Sequence, residues 1–112
     1  MQPRCSGILK GEGAVQGRGE NPACGDVLVL SLDLDPVTGT LLAAFQARGC
    51  SAVIAVASLV AECVVGMSPQ RARLLPIKDL VDEAGGLDRL QTHAIRVAER
   101  ALRSALDQLI SP

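Results

Sequence analysis

Between Val27 and Asp35 the chain reads VLVLSLDLD, with an apolar side chain at every second residue. Leu28, Leu30, Leu32 and Leu34 share one face. The other face starts with Val27 and Val29 and turns polar at Ser31, Asp33 and Asp35. A period of two predicts an antiparallel strand with one buried face. Pro36-Val37-Thr38-Gly39 follows with turn chemistry, Pro presetting one backbone angle and Gly permitting a positive one. A return strand over roughly residues 40–46 completes a hairpin. Ahead of it, residues 1–23 are poor in apolar side chains and carry Gly7, Gly11, Gly13, Gly17 and Gly19. That composition predicts loop or irregular edge, with a short strand near residues 14–16.

After Gly49-Cys50 the period changes. Ala52, Val53, Ala55, Val56, Leu59, Val60, Cys63 and Val64 predict a largely buried helix that stops at Gly66. Ser68-Pro69 opens a short helix, with Ser as the cap and Pro at its first position. Pro76 limits it, and Asp79 offers a cap for one or two further turns before Gly85-Gly86. The longest helix runs over residues 87–110. Its apolar stripe is Leu87, Leu90, Ala94, Val97, Ala98, Ala101, Leu102, Ala105 and Leu109. Arg89, Arg96, Glu99, Arg100, Arg103 and Asp107 lie mostly opposite and read as a solvated face.

Composition narrows the picture. A chain of 112 residues makes one domain, residues 1–112, with a single core. Phe45 is the only aromatic residue, so burial rests on Val, Leu, Ile and Ala, which suits helices packed on a small sheet. The formal charge is -1, with no basic excess for phosphates and no Tyr or Trp for base stacking. Nucleic acid is therefore not an expected partner. The richest apolar stretch, residues 52–65, is broken by Ser58 and Glu62 and falls short of the ~18 residues of a membrane span. Arg4 and Lys10 stand near the N-terminus without the apolar stretch of a signal peptide, so no membrane contact and a cytoplasmic location are expected.

The candidate chemistry lies at three places. Asn21-Pro22-Ala23-Cys24-Gly25-Asp26 precedes the first clear strand, and Pro and Gly hold Cys24 on a tight turn where a thiolate can reach a metal. Asp26 offers a hard oxygen ligand. Cys50 stands where the return strand meets the buried helix, and the positive field of a helix N-terminus favours the thiolate. His93, the sole histidine, sits near the start of the last helix. Singly, each has a plainer reading: a Cys at an element end as a small buried hydrophobe, the His as a solvated or capping residue. The four cysteines, Cys5, Cys24, Cys50 and Cys63, form no CxxC pair, so any metal site must be assembled from distant parts of the chain.

Together these strings resemble the NifU/IscU iron–sulfur scaffold family. The resemblance rests on NPACGD, then strand–turn–strand, then FQARGC running into the helix ASLVAE, with Pro3-Arg4 and Gly7 ahead and the helix led by His93 behind. It covers nearly the whole chain except the family's first N-terminal helix. It implies a SufE/NifU-like α+β fold, a small antiparallel sheet of about three strands with helices packed on one face. It also implies a scaffold rather than an enzyme. Such a scaffold takes sulfur from a cysteine desulfurase, holds iron and a transient [2Fe-2S] cluster, and passes the cluster to apo iron–sulfur proteins. By the motif match, Cys24, Asp26, Cys50 and His93 are the ligands.

Two departures stand out. The family's third ligand is the Cys of a His-Cys pair, and here Ala94 follows His93. Two thiolates, a carboxylate and an imidazole remain, a set that suits zinc as well as a mixed-ligand cluster. Cys63, 13 residues beyond Cys50 on one helix, would stand ~20 Å away and reads as core, while Cys5 could fold back from its Gly-rich segment. Members served by an Hsp70-type chaperone carry an LPPVK-like stretch before the pair. This chain has Leu87-Asp88-Arg89-Leu90-Gln91 there, so the resemblance does not extend to that contact. Leu75-Pro76-Ile77-Lys78 looks similar but stands too early. Competing expectations are a persulfide-accepting accessory of a desulfurase, with Cys50 as acceptor, and a zinc- or iron-binding paralogue.

Overall fold

The computed structural model describes residues 7, 9, 13–23, 25–85 and 92–110. Three strands form one antiparallel sheet in the order β1 (Val15–Asn21), β2 (Asp26–Leu34) and β3 (Leu41–Arg48). The period-two residues define its inner face. Leu28, Leu30 and Leu32 are fully buried and stand beside Ala47, Phe45 and Ala43 of β3. Ser31 departs from the expected polar face: it lies opposite the leucines yet is fully buried, and its hydroxyl has no partner among the described residues. The β2–β3 turn closes through Asp35, whose side chain accepts from Val37 N and Thr38 N, while Gly39 takes a φ of 71°.

Strand β1 is the main correction to the sequence reading. A segment expected to be loop with a short strand near residues 14–16 is a seven-residue edge strand. Its glycines signal a turn in sequence terms, but Gly17 and Gly19 are buried against a helix, where a missing side chain admits the helix backbone.

Helix α1 (Ser51–Val64) packs on β3 and β2. It buries Ala52, Val53, Val56, Ala57, Val60, Ala61 and Val64. The stripe is rotated from expectation: Ala55 is exposed, and Ala57 and Ala61 take the inner positions. Val65 ends the helix, and Gly66 beyond it adopts a φ of 87°. Helix α2 (Pro69–Arg73) starts as expected, with Ser68 Oγ accepting from Arg71 N. In α3 (Ile77–Glu83) the capping position belongs to Pro76, and Asp79 lies inside the first turn.

Helix α4 (His93–Ile110) lies across β1 and β2 and buries Ala94, Val97, Ala98, Ala101, Leu102, Ala105 and Leu106. Arg96, Glu99, Arg100, Arg103 and Asp107 are exposed, as the charge pattern predicts. The expected helical start at Leu87 and the Leu87–Gln91 stretch lie outside the described residues, as do Cys5 and Cys24. The architecture is thus α+β, with helices covering one face of a three-stranded antiparallel sheet. Among the described residues no helix is long and apolar enough to cross a membrane.

Candidate metal centre

Three element ends meet at one end of the sheet: the start of β2, the junction of β3 with α1, and the start of α4. Each delivers one candidate side chain, Asp26, Cys50 and His93, and their ligand atoms all lie within 4.8 Å of one another. Asp26 is on the inner face of β2 and fully buried. Its Oδ1 accepts from the backbone N–H of Cys50 at 2.8 Å. Its Oδ2 lies 2.7 Å from His93 Nε2 and 3.7 Å from Cys50 Sγ. Cys50 Sγ is 3.8 Å from His93 Nε2. Cys50 is the N-terminal residue flanking α1, extended at φ -70° and ψ 155°, and its carbonyl accepts from Val53 N.

Gly49 is what lets the strand–helix junction close over Asp26. Its φ is 122°, and a Cβ there would stand 2.2 Å from Asp26 Oδ1 and 2.7 Å from Asp26 Cα. A side chain at position 49 would therefore collide with the carboxylate that orients Cys50. The sequence reading singled out Gly49-Cys50 for the thiol. It missed that Asp26 is also the anchor of the Cys50 backbone; the only hint was a glycine directly before the cysteine.

Electrostatics hold the carboxylate ionised. Burial pushes the Asp26 carboxyl up. The Cys50 backbone N–H, the His93 imidazole and the Cys50 thiol together outweigh it, so Asp26 ends below the ordinary 3.8. A buried anion flanked by an imidazole and a thiol, both only partly buried, attracts a cation.

The donor spacing fits one. Around a tetrahedral ion, sulfur and nitrogen donors stand about 3.6 Å apart, and oxygen and nitrogen donors about 3.3 Å. The two sulfur edges observed, 3.7 and 3.8 Å, are near that value. The 2.7 Å imidazole–carboxylate contact is shorter, so a hydrogen bond holds a place that a metal would widen while displacing the shared proton. Of the expected ligands, Asp26, Cys50 and His93 are thus brought together. Cys24 lies outside the described residues. Ala94 is buried in the core and brings no donor. Cys63 is half-buried on α1 and is not among the clustered donors.

Comparison with known proteins adds the family. The family model "NifU-like N terminal domain" matches residues 1–110. The chain is 33% identical over 107 residues to the iron–sulfur cluster assembly scaffold protein IscU of Aquifex aeolicus, covering 95% of this chain and 68% of the relative. It is 35% identical over 106 residues to the iron–sulfur cluster assembly enzyme IscU of Drosophila melanogaster, covering 93% and 68%. The nitrogen fixation protein NifU of Azotobacter chroococcum is 32% identical over 105 residues, but the chain spans only 34% of its length. Among solved structures, a SUF-system iron–sulfur cluster assembly scaffold protein from Fervidobacterium islandicum superposes with a TM-score of 0.68 at 20% identity, over 92% of this chain and 87% of that one. That likeness carries the fold alone.

Proposed function

The chain belongs to the NifU-like N-terminal domain family, and on that premise we propose that it is an iron–sulfur cluster assembly scaffold. In this reading it binds iron and a transient [2Fe-2S] cluster as cargo and has no catalytic site of its own. The observation that carries the proposal is the convergence of Asp26, Cys50 and His93 from three elements on one point. By the match of NPACGD to the family motif, Cys24 is the fourth ligand. Cys24 and Cys50 would hold iron as soft thiolate ligands, while the His93 imidazole and Asp26 carboxylate would complete a mixed set. Oxygen and nitrogen donors hold iron less firmly than thiolates, which suits a carrier that must let its cargo go. Cys50 and His93 are only partly buried, so a partner can reach the site.

The expected partners follow from the chemistry: a cysteine desulfurase as the sulfur source and an apo iron–sulfur protein as the recipient. The relatives' names support the assembly role, and the cytoplasm is the proposed location. A second reading is favoured by the donor distances themselves. The near-tetrahedral sulfur edges would accept zinc equally well, and a partly exposed Cys50 thiol could accept a persulfide.

Anaerobic incubation with ferrous iron, cysteine and a cysteine desulfurase tests the proposal through visible absorption and transfer to an apo acceptor. Wild-type protein should develop charge-transfer bands and activate the acceptor, and Cys50→Ala should lose both. Wild-type protein that takes up metal without sulfide, and gains a cluster only as Ala94→Cys, would move the zinc or persulfide reading to the front.

A further inference from the structure

Strand interiors disfavour glycine, yet β1 carries two on the face that meets α4. Neither Gly17 nor Gly19 has a positive φ, so the backbone conformation there is open to any residue. What glycine supplies is the absent Cβ. A Cβ on Gly19 would stand 2.1 Å from Val97 O and 2.9 Å from Val97 C. One on Gly17 would stand 2.0 Å from Ala101 O and 2.4 Å from Ala105 N. The obstructing atoms are helix backbone, which cannot rotate out of the way as a side chain can.

These contacts form a ruler. Val97, Ala101 and Ala105 continue the i, i+4 row that begins at His93. Four helix residues rise about 6 Å and two strand residues about 7 Å, so the row and the strand stay in step. Gly17 meets Ala101 and Gly19 meets Val97, and continuing the same step along strand and helix leads to Asn21 on β1 and His93 on α4. Asn21 is the cross-strand partner of Asp26, whose Oδ2 lies 2.7 Å from His93 Nε2. At the far end Gln108 ties α4 to the carbonyl of Gln16.

We propose that Gly19, backed by Gly17, is a positioning residue for His93, setting the height and register of α4 so that the imidazole reaches Asp26 and Cys50. The inference deepens the metal-centre reading and rests on it for its functional meaning. A Cβ on Gly19 must move from 2.1 Å to beyond 3.4 Å from Val97 O to reach ordinary contact. A lift of that size, one turn from His93, stretches a 2.7 Å hydrogen bond past its limit.

The test uses the whole protein, whose single histidine makes the imidazole resonances unambiguous. Nitrogen–proton NMR of metal-free protein at fixed pH reads the hydrogen-bonded state of His93 Nε2. Titration with Co²⁺ then reads the three-donor site. Folded Gly19→Ala should lose the hydrogen-bonded Nε2 signature and bind Co²⁺ at least about 10-fold more weakly. Gly17→Ala, two turns away, should move both in the same direction.

Gly39→Ala is the control for general destabilisation. It strains a positive φ in the hairpin turn and meets nothing within 4 Å, so it should lower stability and leave His93 unmoved. An unchanged Nε2 signature in folded Gly19→Ala, or an equal change in Gly39→Ala, would overturn the inference. Failure of both β1 variants to fold would also count against it, assigning the glycines to the fold as a whole. Wild-type protein that binds no Co²⁺ would sink the metal-centre reading, while the NMR comparison would still decide the role of Gly19.

Discussion

The two oxygens of Asp26 are engaged separately, Oδ1 by the backbone of Cys50 and Oδ2 by His93. Its carboxyl is held below 3.8, so the ionised form is favoured in the folded state. A folded value below the unfolded one means the stabilisation is complete above 3.8 and is lost as pH falls through the folded value. The stability gap between wild type and Asp26→Asn in urea should therefore be flat near neutrality and narrow under acid conditions below 3.8. A gap that widens on acidification would contradict the assignment. Cys63 provides the contrast. Burial, with the Glu62 charge second, pushes its thiol above the usual 9.0, so it stays protonated and sluggish. Alkylation followed by peptide mapping should find Cys50 protected by bound metal and Cys63 indifferent to it. Asp26, Cys50 and His93 were legible in the chain because each sits in a short string at an element end. The Asp26–Cys50 backbone bond was not, because it joins residues 24 positions apart.

At the scale of elements, pattern was a good guide where side chains pack and a poor one where their absence matters. The alternation in β2 holds at Leu28, Leu30 and Leu32, whose burial on one face fixes strand and register, while Leu34 at the strand end is exposed and Ser31 on the other face is buried. In β1 the same kind of strand was hidden, since Gly17 and Gly19 have no hydropathy to alternate. Helix α1 shows the intermediate case: Ala55 and Ala57 are the same residue, so hydropathy could not say which faces inward. Caps, by contrast, carry their own signature. Ser68 Oγ accepts from Arg71 N at 3.2 Å at the start of α2. Ser68→Ala should cost about 1 kcal/mol in urea unfolding, and a neutral result would mean that α2 is held by its packing on α4 alone.

For the whole molecule, the arrangement places the three candidate donors at one end. The hairpin turn around Asp35–Thr40 closes one end of the β2–β3 ladder, and Asp26, Cys50 and His93 gather at the other. The inner leucines and both long helices join the three donor-bearing ends into one packed body, so Asp26, Cys50 and His93 stand together in the folded chain. On the proposed reading, Ala94 stands where the family resemblance expects a third thiolate, so the donor set is one soft ligand short. The most direct measurement is the Mössbauer spectrum, with iron and acid-labile sulfide analysis, of protein reconstituted anaerobically with a cysteine desulfurase. The account predicts equal amounts of iron and sulfide and a spin-coupled [2Fe-2S] signal that is lost in Cys50→Ala. A spectrum containing only mononuclear iron, with no labile sulfide, would contradict it.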